Sequence, residues 1–177
     1  MVAQFLHRSG VYLGPDAVLM PAASENPDGF WEHLQVVEIN DELLSLLGGG
    51  WDYPPAGPIA GDDPRFETLR TRARRVFAGF EEHPTWGWKD PRTSLTLPFW
   101  REVVDELQVV AVVRNPLEVA LSLRKRNGFS IELGLALWQA TYALILETTT
   151  PDERIFTHYD AYSGRPGEEF SRVLRFL

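Results

Sequence analysis

Three short stretches hold residues whose types and spacing suit work on an anion. The first begins where the β-branched run Gln108–Val113 ends in Arg114-Asn115-Pro116, with Ser122 eight residues after Arg114. The carboxyl ends of parallel strands are where open sheets collect ligands. Pro116 sets a helix start, and the free N–H groups of a helix start attract anions. Ser122 lies about 9 Å further along the helix axis than Pro116, at about 1.5 Å per residue. A guanidinium can lean over that distance and share one phosphate with the hydroxyl, bringing charge and bidentate geometry. The same residues also fit an Asn-Pro helix cap followed by a surface serine.

The second stretch is Trp88-Lys89-Asp90-Pro91-Arg92. Pro91 drives Asp90 out of the helical region, which turns Lys89 and Asp90 away from the local backbone trend. A turn carrying a surface ion pair of little energetic worth fits these residues too. The third is Asn26-Pro27-Asp28-Gly29-Phe30-Trp31-Glu32-His33, a turn signature leading into a helix. Glu32 stands at that helix start, where the helix dipole favours its anion. It is a candidate general base, or a glutamate that only answers the dipole. His7, His33, His83 and His158 show no metal-ligand spacing, so no metal site is expected. Lys89 and Lys125 are the chain's two lysines.

The elements that must position these groups alternate. Val2–Gly10 reads as a short helix stopped by Gly10, residues 14–33 as loop, and 32–47 as a helix ended by Gly48-Gly49-Gly50. A second loop covers 51–63, with Pro54, Pro55, Gly57 and Pro58. Asp63-Pro64 caps the next helix. Trp86–Trp88 reads as a short strand, 94–106 as a helix, and 108–113 as a strand apolar on both faces. Pro116 and Ser130 open two helices, 154–159 is another strand, and Glu168–Leu177 another helix. This alternation predicts an α/β three-layer sandwich with a mainly parallel sheet, in one domain over 1–177.

Order and content together resemble bacterial sulfotransferases. The matching segments are Asn26-Pro27-Asp28-Gly29-Phe30-Trp31-Glu32, then Asn40-Asp41 with Leu43-Leu44 and Trp51, then Lys89-Asp90-Pro91-Arg92, then Arg114-Asn115-Pro116 with Glu118-Val119-Ala120-Leu121-Ser122. The resemblance implies a P-loop-NTPase-like sulfotransferase fold and a co-substrate, 3′-phosphoadenosine-5′-phosphosulfate. It implies that Arg114 and Ser122 hold the donor's 3′-phosphate, that Lys89 supports charge on the transferring group, and that Glu32 or Asp90 is the base. His7-Arg8-Ser9-Gly10 is similar to the family's phosphosulfate loop. Val11-Tyr12 replace its Thr-Ser, and the stretch closes a helix rather than opening one, so it is given no donor role.

On this resemblance the phosphosulfate loop and the central strand lie upstream of Met1, and the chain is incomplete at both ends. The 109–113 and 154–158 strands are then expected to face each other across an empty slot, with unpaired backbone groups, leaving the fragment marginal, poorly soluble, or rescued by closing the slot or pairing with another chain, and 1–177 alone is expected to lack transfer activity. The acceptor class is a small molecule or carbohydrate bearing a hydroxyl or amine. The rival readings are an ATP-dependent small-molecule kinase and a non-catalytic fragment without the donor loop. No G-x-x-x-x-G-K-[ST] occurs to support the kinase. A net charge of −8 argues against a general nucleic-acid grip. The absence of cysteine excludes disulfides and thiolate metal sites and permits a cytoplasmic location. No long apolar run indicates a membrane span.

Overall fold

The computed structural model describes residues 1–23, 26, 29–56, 59–164 and 166–177. The turn residues Pro27, Asp28, Gly57 and Pro58 singled out in the sequence lie outside them. A single domain over 1–177 is the expectation from sequence; contacts within the chain gather into two compact units, Met1–Asp105 and Glu106–Leu177. Among the described residues no helix is long and apolar enough to cross a membrane.

The first unit is helical. Helix α1 (Val2–Arg8) ends at Ser9 and Gly10, and Gly10 takes the positive φ of 100° that breaks it from the following chain. Helix α2 (Leu34–Leu46) buries Val36, Val37, Ile39, Asn40, Leu43 and Leu44 along one side. Asp63 accepts from the Arg65 N–H ahead of Pro64, as its cap role requires, and helix α3 (Glu67–Phe77) follows. Helix α4 (Thr93–Arg101) buries Leu95, Thr96, Leu97, Phe99 and Trp100. It stops short of the expected 106, because Glu102 and Val103 bond to Phe99 and Trp100 in three-residue turns that tighten its end. Helix α2 packs on both α3 and α4.

The expected strand at 86–88 is not formed. Trp86 makes one isolated parallel bridge to Tyr12. The indoles of Trp86 and Trp88 instead enter an aromatic cluster with Phe77, Phe80 and Trp100, at ring separations of 4.9–5.5 Å. Side-chain packing, not a backbone ladder, fixes this segment.

The second unit is mixed α/β. Strands β1 (Val109–Val113) and β2 (Arg154–His158) run parallel, in register from Val109 opposite Arg154 to Val113 opposite His158. Direct pairing therefore closes the slot expected between them. The ladder continues past both ends, with the Val109 N–H donating to the Glu153 carbonyl and the Tyr159 N–H to that of Val113, each at 2.7 Å. Direct pairing satisfies the groups that a slot would strand.

Helices α5 (Pro116–Asn127) and α6 (Ile131–Thr148) form an antiparallel-type hairpin between the strands in sequence. Asn115 and Ser130 cap them by accepting from the Leu117 and Leu133 N–H groups. Gly134 allows the two helices to touch: a Cβ there would lie 2.7 Å from Ala120 Cα. Odd-numbered residues of β1 bond toward β2, so its even-numbered carbonyls point to the other edge. Two of these edge carbonyls are occupied by α6: Tyr142 Oη donates to Val112 O at 2.7 Å and Trp138 Nε1 to Arg114 O at 3.0 Å. Helices α7 (Ala161–Gly164) and α8 (Pro166–Phe176) follow β2.

Candidate functional site

In the first unit, the two segments that carry Glu32 and Lys89-Asp90 meet. Trp31, immediately before Glu32, is held at φ 59°, a region that a bulky side chain rarely adopts and that costs about 1–3 kcal/mol. Glu32 lies one position before His33, the residue that caps α2, so it precedes the helix rather than opening it. Its carboxylate is buried, with Lys89 Nζ donating to Oε1 and Arg92 Nη1 3.7 Å from Oε2.

Arg92 is the hub of this cluster. Its Nη1 donates to Asp90 Oδ1 at 3.0 Å, and its Nε lies 2.6 Å from Asp41 Oδ1. Burial works against the guanidinium's charge, but Asp90, Asp41 and Glu32 outweigh it and hold the Arg92 pKa above its ordinary value.

Asp90 has no exposed side-chain surface, and both its oxygens are engaged. Oδ1 accepts from the Arg92 backbone N–H at 3.0 Å as well as from Nη1, and Oδ2 accepts from Asn40 Nδ2 at 2.9 Å. Asn40, itself fully buried on α2, accepts at Oδ1 from Thr96 Oγ1 at 2.6 Å and Trp100 Nε1 at 2.9 Å. Trp88 Nε1 donates to Thr93 Oγ1 at 3.0 Å. A buried polar network with these partners fixes one arrangement of the 88–93 turn against α2 and α4. His33 is also buried, and burial pushes its imidazole below the ordinary histidine value.

In the second unit, Arg114 stands at the carboxyl end of β1, as the sequence predicts. Its Nε donates to Glu118 at 2.9 Å, and its guanidinium carbon lies 4.8 Å from the Tyr159 ring centroid, a cation–π arrangement. Glu118 and Ser122 are one turn apart on one face of α5, and Arg114, just before the helix cap, reaches Glu118. Ser122 is exposed. Among the described residues, Glu118, rather than Ser122, is the group that Arg114 bonds.

Sequence reasoning brought Glu32, Lys89 and Asp90 to one place. It quoted Asn40, Asp41 and Arg92 without giving them work, and it missed Glu118 as the partner of Arg114. The four-residue Arg114–Glu118 spacing was the available signal for the last. Among the described residues no group of three or more His, Cys, Asp or Glu side chains is arranged to hold a metal ion. Comparison of the chain with protein-family models, curated proteins and solved structures gives no match.

Proposed function

We propose that the full protein to which this chain belongs, the wild type of the tests below, transfers a sulfuryl group from 3′-phosphoadenosine-5′-phosphosulfate to a hydroxyl or amine of a small-molecule or carbohydrate acceptor, on a P-loop-like sulfotransferase fold. One observation carries the reading: Glu32 and Lys89, drawn from two segments that each resemble active-site segments of that family, form an ion pair across 57 residues of sequence.

In the proposed reaction, Glu32 takes the proton from the acceptor O–H or N–H as that atom attacks sulfur in line. The bond from sulfur to the bridging 5′-phosphate oxygen breaks, and 3′-phosphoadenosine 5′-phosphate leaves. Lys89 supports the charge on the transferring group and the leaving oxygen. Arg114 and Ser122 bind the 3′-phosphate.

Of the two candidate bases, Glu32 is the better placed. Asp90 has both oxygens filled by Arg92 and Asn40 and no exposed side-chain surface. Its role is to hold Arg92 and the turn. In Glu32, Oε2 has, among the described residues, the 3.7 Å approach of Arg92.

The test is mass-spectrometric detection of sulfuryl transfer to a panel of hydroxyl and amine acceptors. Glu32→Gln should lower turnover about 10²–10⁴-fold, the usual cost of losing a general base, without loss of 3′-phosphoadenosine 5′-phosphate binding. A fully active Glu32→Gln beside an inactive but folded Asp90→Asn would reverse the two roles.

A further inference from the structure

We infer, resting on the sulfuryl-transfer reading above, that the Glu32–Lys89 ion pair is a latch that the donor opens. In the empty site Lys89 occupies the base. The anionic donor draws Lys89 off Glu32 and so frees the carboxylate to take the acceptor's proton.

The two cations that face Glu32 are held unequally. The Arg92 guanidinium is tied to Asp90, whose side chain has 0% exposure, and to Asp41. It cannot leave without stranding a buried carboxylate. Among the described residues Lys89 has no such tie: its side chain is 38% exposed, and Glu32 is the partner of its ammonium. A lysine ammonium is a flexible point charge with three donors, so it can turn to a new anion. When it does, Glu32 keeps Arg92 3.7 Å away and is not left as an uncompensated buried charge. Arg92 stays and Lys89 moves.

The cluster also sets an order of events. Glu32, Asp41 and Asp90 face Arg92 and Lys89, so three carboxylates meet two cations and Lys89 reaches an incoming anion already neutralised. Donor binding must compete with Glu32 for Lys89. By linkage, whatever removes the Glu32 charge must strengthen anion binding. The base therefore becomes competent only once donor is bound.

The experiment is calorimetric titration with 3′-phosphoadenosine 5′-phosphate of the wild type, Glu32→Gln, Lys89→Met and the double variant, each with a melting curve. For a partly exposed ion pair, Glu32→Gln should tighten binding about 2- to 5-fold. Lys89→Met should weaken it, and Glu32→Gln should bring no gain in the Lys89→Met background. Unchanged or weaker binding by a cooperatively melting Glu32→Gln overturns the latch while leaving the sulfuryl-transfer reading intact. No binding by the wild type removes that reading and the latch with it. If Glu32→Gln does not fold, Glu32→Asp replaces it, since it shortens the reach to Lys89. Tighter binding is again expected, and its absence again overturns the proposal.

Discussion

Asn40→Ala should be among the most damaging single changes in the first unit, although Asn40 touches no proposed substrate. The side chain is fully buried and makes three strong bonds: to Asp90 Oδ2, from Thr96 Oγ1 and from Trp100 Nε1. Alanine leaves the buried Asp90 oxygen without its donor, and losing a bond to a charged group costs about 1.5–3 kcal/mol. Trp100 Nε1 keeps Thr96 Oγ1 at 3.2 Å, and Thr96 keeps the Arg92 carbonyl at 3.3 Å, so each of their losses is about 0.5–1 kcal/mol. The total is about 2.5–5 kcal/mol, against about 5–15 kcal/mol for a whole domain. The assay is urea unfolding followed by tryptophan fluorescence, since Trp86, Trp88 and Trp100 share one aromatic cluster. In a thermal melt the same loss lowers Tm by at least about 5 °C, at about 2–4 °C per kcal/mol for a chain of this size. Gln35→Ala, exposed on the same helix, is the control and should stay within about 0.5 kcal/mol. A loss below about 1 kcal/mol for Asn40→Ala would refute the claim that this network fixes the 88–93 turn.

In the second unit, Gly134→Ala should destabilise by about 1–3 kcal/mol in denaturant titration, because the added carbon meets Ala120 Cα at 2.7 Å and Cβ at 2.8 Å. Helix propensity alone predicts a gain of about 1 kcal/mol, so the sign of the change decides which effect governs. Acid stability should depend on Glu169. Bonds from Arg172 and then Thr157 hold its pKa down to about 2 from an ordinary 4.5. A carboxylate depressed in the fold contributes stability that is complete above its unfolded value and is lost as pH falls toward 2. Tm measured against pH should therefore fall less steeply below pH 5 in Glu169→Gln than in the wild type, and parallel curves would contradict this.

Much of the second unit was legible because its signals are local. Asn115-Pro116 and Ser130 mark helix starts through bonds to their own next residues. The unbroken apolar run 109–113 marks a strand whatever it pairs with. The pairing itself was not legible. Nothing in either strand's composition distinguishes direct β1–β2 pairing from pairing across a third strand. Trp86–Trp88 has strand-like residues, yet its indoles pack on Phe77 and Trp100 and its backbone finds one bridge. At the candidate site, Glu32 and Lys89 could be named because each follows a turn signal. The Asn40 network could not: an asparagine in a helix reads as a polar surface residue until Asp90, Thr96 and Trp100, 50 to 60 positions away, close around it.

Donor recognition is the claim on which the functional account stands, and calorimetric titration with 3′-phosphoadenosine 5′-phosphate against ATP tests it most directly. The account predicts that the wild type binds 3′-phosphoadenosine 5′-phosphate in preference to ATP. Arg114→Ala, which removes the guanidinium at the carboxyl end of β1, should weaken that binding about 10- to 100-fold. Binding of ATP instead, or an affinity that Arg114→Ala leaves unchanged, would contradict it.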